Sequence, residues 1–293
     1  MAFTIGFIGL GVMGGPMAAN IVKKCGTKVY GYDVVPHQLE AFTAIGGTPV
    51  KDPEEIYKKC DVILQILPTH PIIINSIEQI IKHGKKGTVI VDMSSTSPDI
   101  IRDLYPKVKS AGMALLDSPV SGGNIGAKQG NLVIMCGGDE ATFDKVKPVL
   151  EYMGTCVTYM GGPGCGDVAK IANNMIVGCN LLAVSEAFAL ATKAGLDPAK
   201  LFGAIKDGFA QNRVMDVKVP KLLRRDFSAD ARIAVHYKDI KNAEHLAEKL
   251  GVKLPMTDVV LNCMTRMDKA GLIDEDQIAL VKPYEKDMGV EVK

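Results

Sequence analysis

The residues best suited to chemistry fall in a few short stretches. Gly9-Leu10-Gly11-Val12-Met13-Gly14 follows the apolar run Thr4 to Ile8 and opens a helical pattern through Met17, Ala18 and Ile21. This is a GxGxxG turn in the strand–turn–helix setting that binds dinucleotides. Gly9 permits the tight turn, Gly11 lets the backbone approach a pyrophosphate, and Gly14 lets helix and strand pack closely. The phosphates then rest on free N–H groups at the helix N-terminus. Asp33 ends the next apolar run, 19 residues after Gly14. A carboxylate there accepts hydrogen bonds from the adenine ribose hydroxyls and repels a 2′-phosphate. No Arg or Lys follows it directly, so the pattern favours NAD over NADP. The competing reading makes Asp33 only the cap of the following helix.

Three later turns also end apolar runs. Leu67-Pro68-Thr69 and Met93-Ser94-Ser95-Thr96-Ser97-Pro98 fall at the edge where α/β sheets bind ligands. Leu67 and Pro68 are expected to flank the cofactor, and Thr96 to hydrogen-bond near the nicotinamide or the substrate. The plainer alternative is that Ser94 to Ser97 only start a helix at Pro98. Asp117-Ser118-Pro119-Val120-Ser121-Gly122-Gly123 places a hydroxyl before two glycines. Successive N–H groups in such a turn form a nest for an anion, here a carboxylate, although the same tripeptide is also an ordinary loop.

Lys170 stands among Val168, Ala169, Ile171, Ala172, Met175, Ile176 and Val177, with Asn174 one turn away on the same helical face. Hydride transfer at an alcohol or carbonyl carbon needs a proton acceptor and donor on the oxygen. A partly buried lysine, lowered toward neutrality, suits that work, with Asn174 orienting it or holding substrate. The alternative is a snorkelling lysine near a helix start. Of the five histidines, His236 has the best prospect of approaching a ligand, because Tyr237-Lys238-Asp239 follows it. No Ser/His/Asp arrangement and no metal-ligand spacing emerges, so no metal is expected.

The elements that must position these groups are legible as a pattern. Apolar runs at Thr4–Ile8, Lys28–Tyr32, Val62–Leu67, Thr88–Asp92, Ala114–Asp117, Leu132–Cys136 and Val157–Tyr159 alternate with helical segments. Nearly continuous apolar runs are what parallel strands covered on both faces require. The expected fold is therefore α/β, a Rossmann-type doubly wound sheet over residues 1–163 that binds NAD, with right-handed crossovers. After Gly161-Gly162-Pro163-Gly164 the strands stop. Residues 166–193 read as one long helix opening an all-helical domain, 164–293, for substrate and oligomerisation. Further helices are expected at Pro198–Asp207, Met215–Arg224, Ala229–Leu250 and Thr257–Ala270. So apolar a long helix must be wrapped by other helices or by a partner chain.

Composition removes other classes. Over 293 residues the net charge is +1, the hydrophobic fraction is 47%, aromatics are 5% and Trp is absent. No basic run exceeds a pair, so nucleic acid is not an expected partner. Seven widely spaced cysteines without a CxxC point to a reducing compartment, hence the cytoplasm. The glycine-broken start lacks the basic segment of a signal peptide. The most apolar stretch, Met175 to Leu190, carries Asn180, Ser185 and Glu186, so no membrane span is expected.

Four motifs occur in the same order as in the β-hydroxyacid dehydrogenase family, which this sequence resembles nearly end to end. They are Phe7-Ile8-Gly9-Leu10-Gly11-Val12-Met13-Gly14-Gly15-Pro16-Met17-Ala18; Asp117 to Gly123 continuing to Gly126-Ala127 and Gly130; Gly164-Cys165-Gly166 with Lys170 and Asn174; and Lys238-Asp239. The resemblance implies NAD(P)-dependent interconversion of a β-hydroxy acid and its semialdehyde. It implies Lys170 as general acid/base, with Ser121, Gly122 and Gly123 on the substrate carboxylate and Asn174 assisting. It places Lys238 near the nicotinamide and Asp239 as organiser of that edge, and it implies a homodimer or homotetramer.

Substrate choice rests on less. Several relatives carry a Ser-Gly-Arg-Ser-like segment where this chain has Lys206-Asp207-Gly208-Phe209-Ala210-Gln211-Asn212-Arg213. If Arg213 enters the site, it clamps a second carboxylate bidentately and favours a dicarboxylic acid such as 2-(hydroxymethyl)glutarate. Otherwise Arg213 caps a surface helix, and 3-hydroxyisobutyrate or tartronate semialdehyde are the alternatives. Two other classes compete: imine reduction on the same scaffold, and a non-catalytic dinucleotide-binding interaction protein. The intact Lys170 argues against both.

Overall fold

Short runs of Ile, Val, Leu and Phe become the central strands in the computed structural model, which describes residues 3–293. The chain divides into two compact units, one up to Lys170 and one from Ile171 to Lys293.

In the first unit the order is β1 (Ile5–Ile8), α1 (Gly14–Lys24), β2 (Val29–Tyr32), α2 (Pro36–Ala44), β3 (Thr48–Pro49), α3 (Glu54–Lys59), β4 (Val62–Gln65), α4 (His70–His83), β5 (Val89–Asp92), α5 (Pro98–Ser110), β6 (Ala114–Asp117), β7 (Val120–Ser121), α6 (Gly123–Gln129), β8 (Leu132–Gly137), α7 (Glu140–Leu150), β9 (Gly154–Gly161) and the start of α8 (Cys165–Lys193). The strands lie in the order β3-β2-β1-β4-β5-β6-β8. The pairs from β3 through to β6 are parallel. Alternate residues of one strand feed opposite cores. Val62 and Leu64 join α1, α6 and α7 side chains such as Met17, Ala127 and Phe143. Ile63, between them, joins Ile56, Ile73, Ile77 and Ile101 on the other face. That two-sided burial is why these strands read as continuous apolar runs.

The sheet departs from uniform winding at β8, which is antiparallel to β6 and β7. Residues 122–131, carrying only the two-turn α6, connect β7 to β8, and so short a link cannot make a parallel crossover. β7 continues the line of β6 along β8, with Asp117 opposite Gly137 and Ser121 opposite Val133, and β9 runs parallel on the other side of β8. The short elements β3, α3, β7 and α6 carry too little periodicity to be expected from sequence.

The second unit holds the remainder of α8, α9 (Pro198–Ile205), α10 (Arg213–Leu223), α11 (Ile233–Leu250), α12 (Pro255–Lys269), a 3-10 turn (Gln277–Leu280) and α13 (Val281–Met288). α8 is long and apolar enough to cross a bilayer. Its Leu181 and Leu182 instead meet Ile240, Val260 and Met264 in one core, and its Val184 and Phe188 meet Met215 and Val219 in another. Gly178 is where α12 approaches: a Cβ there would lie 2.9 Å from Val260 Cγ1.

The helix expected from Ala229 begins only at Ile233. A buried carboxylate holds the preceding residues instead. Asp276, fully buried, accepts both Lys218 Nζ–H contacts at 2.8 Å and the N–H groups of Asp230, Ala231 and Ile278. Removing it strands a buried ammonium and several amides. Asp276→Ala is expected to cost about 3–5 kcal/mol. Lys218→Met should cost less, because Asp276 keeps its backbone donors. Urea unfolding of the two variants checks this, and equal losses would refute the asymmetry.

Candidate active site

The glycine turn after β1 is built as two packed glycines around an open one. Gly9 has φ +90°, and a Cβ there would meet the Ile66 carbonyl oxygen at 2.3 Å. A Cβ on Gly14 would meet the Gly9 carbonyl oxygen at 1.8 Å. A Cβ on Gly11 would meet nothing within 4 Å. The protein itself therefore does not require glycine at position 11; the open backbone there leaves room for a ligand, and these residues fit a dinucleotide pyrophosphate. Val12 is exposed and Met13, which is half-buried, immediately precedes α1.

Asp33 does not cap α2, whose preceding residue is Val35. Its Oδ2 accepts the Leu10 N–H at 2.7 Å, and its Oδ1 accepts the Val35 N–H at 2.8 Å. The carboxylate thus ties the glycine turn to the end of β2, and each oxygen keeps a further lone pair for a hydroxyl.

At the ends of β4 and β5 a buried polar network fixes the turns. Leu67 N–H donates to Ser94 Oγ at 2.9 Å, and Ser94 Oγ–H donates to Asp92 Oδ1 at 2.6 Å. Pro68 follows directly, just before α4. Thr96 is 1% exposed; its hydroxyl donates to Asp92 Oδ2 at 3.1 Å and its N–H to Asp167 Oδ1 at 3.0 Å. The Thr96 hydroxyl proton is thus committed to the scaffold. Burial raises Asp92 from the ordinary carboxylate range, against the hydrogen bonds from Ser94, Gln65 and Thr96.

Asp117 occupies the equivalent place on β6, beside Asp92 in register. It is 1% exposed and accepts the N–H groups of Gly164 and Asp167, each at 2.9 Å, at the start of α8. Burial pushes its carboxyl up to about 6, against those two amides, and the Asp92 charge adds to the rise. Beyond it, Ser121 closes β7 and Gly122 (φ +129°) and Gly123 (φ +61°) lead into α6. Lys170 is half-buried on the second turn of α8.

In the second unit, two motifs 65 residues apart meet. Asn174 Nδ2 donates to Asp239 Oδ2 at 2.6 Å, and Lys238 Nζ lies 3.6 Å from Asp239 Oδ1. Asn173 Nδ2 donates to Asn174 Oδ1 at 2.8 Å. His236, 2% exposed, is 2.8 Å through Nε2 from the Asn174 carbonyl oxygen, so that nitrogen carries the proton. Its part is in holding α11 to α8. Arg213 is the first residue of α10 and is exposed. It is not the cap: Asn212 Oδ1 accepts the Met215 N–H at 2.9 Å. A cation at N1 opposes the helix dipole, so local helix stability does not explain it.

The carboxylates Asp92, Asp117 and Asp167 form a buried scaffold that reading the sequence missed. The signal for Asp92 and Asp117 was an acidic residue ending an apolar strand, as at Asp33; Asp167, in the first turn of α8, carried no such signal. Burial pushes the thiols of Cys60 and Cys136 up to about 12 and that of Cys263 to about 11, which makes them core residues rather than nucleophiles. Among the described residues no group of three or more His, Cys, Asp or Glu side chains is placed to hold a metal ion.

Two outcomes are expected from this geometry. Gly11→Ala should leave the unfolding midpoint nearly unchanged and weaken NADH binding at least about tenfold, whereas Gly14→Ala should destabilise the fold itself. Fluorescence titration beside thermal unfolding separates them; intact NADH affinity in Gly11→Ala would refute the cradle. Asp117 binds its proton more tightly when folded, since its carboxyl rises from 3.8 to about 6. Its contribution to stability therefore falls as pH rises from about 4 to about 6, by about 2–3 kcal/mol, and the loss is complete above that window. Asp117→Asn mimics the protonated acid. Wild type should lose that much relative to the variant between pH 4 and 7 in urea unfolding, and a constant difference would refute the shift.

The family described as the NAD binding domain of 6-phosphogluconate dehydrogenase matches residues 4–161. The one described as NAD-binding of NADP-dependent 3-hydroxyisobutyrate dehydrogenase matches residues 164–284. The chain is 37% identical to 2-hydroxy-3-oxopropionate reductase of Escherichia coli (strain K12), over 96% of this chain and 97% of that one. It is 35% identical to 2-(hydroxymethyl)glutarate dehydrogenase of Eubacterium barkeri, over 98% and 97%. Among solved structures, Mycobacterium tuberculosis 3-hydroxyisobutyrate dehydrogenase with L-serine superposes with a TM-score of 0.90 at 31% identity, over 97% of this chain and 99% of that one. Matched over nearly its whole length by these families and relatives, the chain belongs to the β-hydroxyacid dehydrogenase family, the NAD(P)-dependent oxidoreductases that interconvert β-hydroxy acids and their semialdehydes.

Proposed function

We propose that this enzyme oxidises the primary alcohol of a dicarboxylic β-hydroxy acid such as 2-(hydroxymethyl)glutarate, or reduces its semialdehyde, with NAD rather than NADP. The Asn174–Asp239–Lys238 chain carries the reading, because one buried carboxylate, Asp239, holds both a buried amide and a lysine. Asp33, with no basic residue after it, supports NAD. Gly9, Leu10, Gly11, Val12, Met13 and Gly14 hold the pyrophosphate, and Leu67, Pro68 and Thr96 shape the adjoining edge. Residues 1–163 serve as the NAD-binding domain and 164–293 as the helical domain for substrate and assembly.

NAD supplies the hydride acceptor when bound. Neutral Lys170 Nζ takes the hydroxyl proton during oxidation, and its ammonium returns a proton to the aldehyde oxygen during reduction. Ser121, Gly122 and Gly123 hold the substrate carboxylate, Asn174 assists, and Lys238, set by Asp239, serves the nicotinamide side. Arg213 clamps the second carboxylate; an exposed cation at a helix N-terminus, with capping left to Asn212, supports this role.

The enzyme works as a homodimer or homotetramer in the cytoplasm, on a small carboxylic acid, without nucleic acid or membrane. Ala172, Ile176, Ala183, Ala187 and Leu190 form an exposed apolar stripe on α8 that a second chain would cover.

The test is NAD and NADP reduction at pH 8–9 with 2-(hydroxymethyl)glutarate, 3-hydroxyisobutyrate, glycerate, 4-hydroxybutyrate and 3-hydroxypropionate. NAD with the dicarboxylate should be fastest, rising with pH as Lys170 becomes neutral. Arg213→Ala should raise KM at least about tenfold for the dicarboxylate and far less for monocarboxylates. Equal effects would remove the clamp and leave the 3-hydroxyisobutyrate or tartronate semialdehyde readings. A flat pH profile would remove Lys170 as the base. Silence across the panel in protein that binds NADH would favour a non-catalytic binding role.

A further inference from the structure

α8 begins inside the first unit, where its amides cannot rely on water. The start of the helix is held from a strand end far away in sequence. Asp117 Oδ1 accepts the Gly164 N–H and Oδ2 accepts the Asp167 N–H, each at 2.9 Å. The Asp167 side chain then accepts the Thr96 N–H at 3.0 Å. The two amides on Asp117 tie Gly164 and Asp167 to the end of β6, and the Asp167–Thr96 bond ties the same turn to the loop after β5. Lys170 follows Asp167 by three residues, so the two share a face of the helix.

The packing around Asp117 leaves little slack. A Cβ on Gly137 would lie 2.6 Å from Asp117 Oδ1, and one on Gly166 would lie 2.5 Å from the Asp117 carbonyl oxygen. The first turn of α8 is thus pressed onto the ends of β6 and β8. A displacement there carries Lys170, one turn on, with it.

We propose that Asp117 is a positioning residue for Lys170, acting through the first turn of α8 with Asp167 as a second tie to the sheet edge. This rests on the proposed role of Lys170 as acid/base. Asp117 itself acts on neither substrate nor cofactor. Replacing it by Asn leaves one oxygen to accept and turns an NH2 group toward the other amide, so one of the two bonds must break.

The experiment uses full-length Asp117→Asn, Lys170→Ala and the double variant, with NAD and whichever hydroxy acid of the panel wild type oxidises fastest. Asp117→Asn should lower kcat at least about tenfold, with KM and the NADH dissociation constant within about twofold. In Lys170→Ala, followed as single-turnover hydride transfer, adding Asp117→Asn should change the residual rate by less than about twofold. A further tenfold loss in the double variant, or an effect confined to KM, would overturn the proposal. If Lys170→Ala is as active as wild type, the proposed function itself fails, a different result from either. Asp167→Ala keeps both bonds to Asp117 but frees Thr96, so it should show a smaller kcat loss, again absorbed in Lys170→Ala, and it serves if Asp117→Asn does not fold. A readout independent of turnover is the rate at which trinitrobenzenesulfonate labels Lys170 in protein without cofactor, followed by peptide mass spectrometry. Asp117→Asn should change it at least about threefold while Lys193, at the far end of α8, is unaffected. An unchanged Lys170 rate would also overturn the proposal.

Discussion

A helix that starts against a sheet must find acceptors for its first amide groups, and in this protein that requirement governs the site. Local sequence offers no solution, because Gly164 precedes α8 and has no side chain. The acceptor comes from Asp117, the last residue of β6, 47 residues before Gly164 in the chain. A charged carboxylate is a strong acceptor for two N–H groups, but placing it in the interior costs part of that gain, which is why its carboxyl rises to about 6. The strand end and the helix start are therefore parts of one electrostatic arrangement.

The same closeness of backbone contact recurs at the glycines. Gly9 and Gly14 let α1 lie on β1, while Gly137 and Gly166 let α8 lie on β6 and β8. In both places a helix N-terminus is brought onto the carboxyl edge of the sheet. At the second the protein supplies the acceptor for the helix amides itself, through Asp117. Gly11 marks the difference, since its space is not claimed by any protein atom.

How much of this was legible in the sequence depends on how local each determinant is. The α/β pattern, the long helix and the GxGxxG turn were readable because each is a periodicity or a short motif. Elements of two to seven residues such as β3, β7 and α6 were not, because they owe their conformation to pairing with neighbours. Asp33 was identified by its distance from Gly14, but its bond to the Leu10 amide is a tertiary fact. Thr96 was placed at the right edge, yet nothing in Ser-Ser-Thr-Ser showed that its hydroxyl would go to Asp92. The late start of α11 likewise comes from Asp276, more than forty residues downstream, drawing the amides of Asp230 and Ala231 out of the helix.

Relatives with different substrates share nearly equal identity with this chain, 37% and 35% over almost its whole length. That equality has a physical origin. Buried, tightly packed parts such as Gly14, Asp117 and the core of α8 tolerate little change. The segment from Lys206 to Arg213 is under no such constraint. There the backbone is exposed, Phe209 is fully solvent-accessible, and Asn212 caps α10 whichever side chain stands at position 213. The side chain can therefore change at that position without disturbing the packed cores, and overall similarity is blind to it.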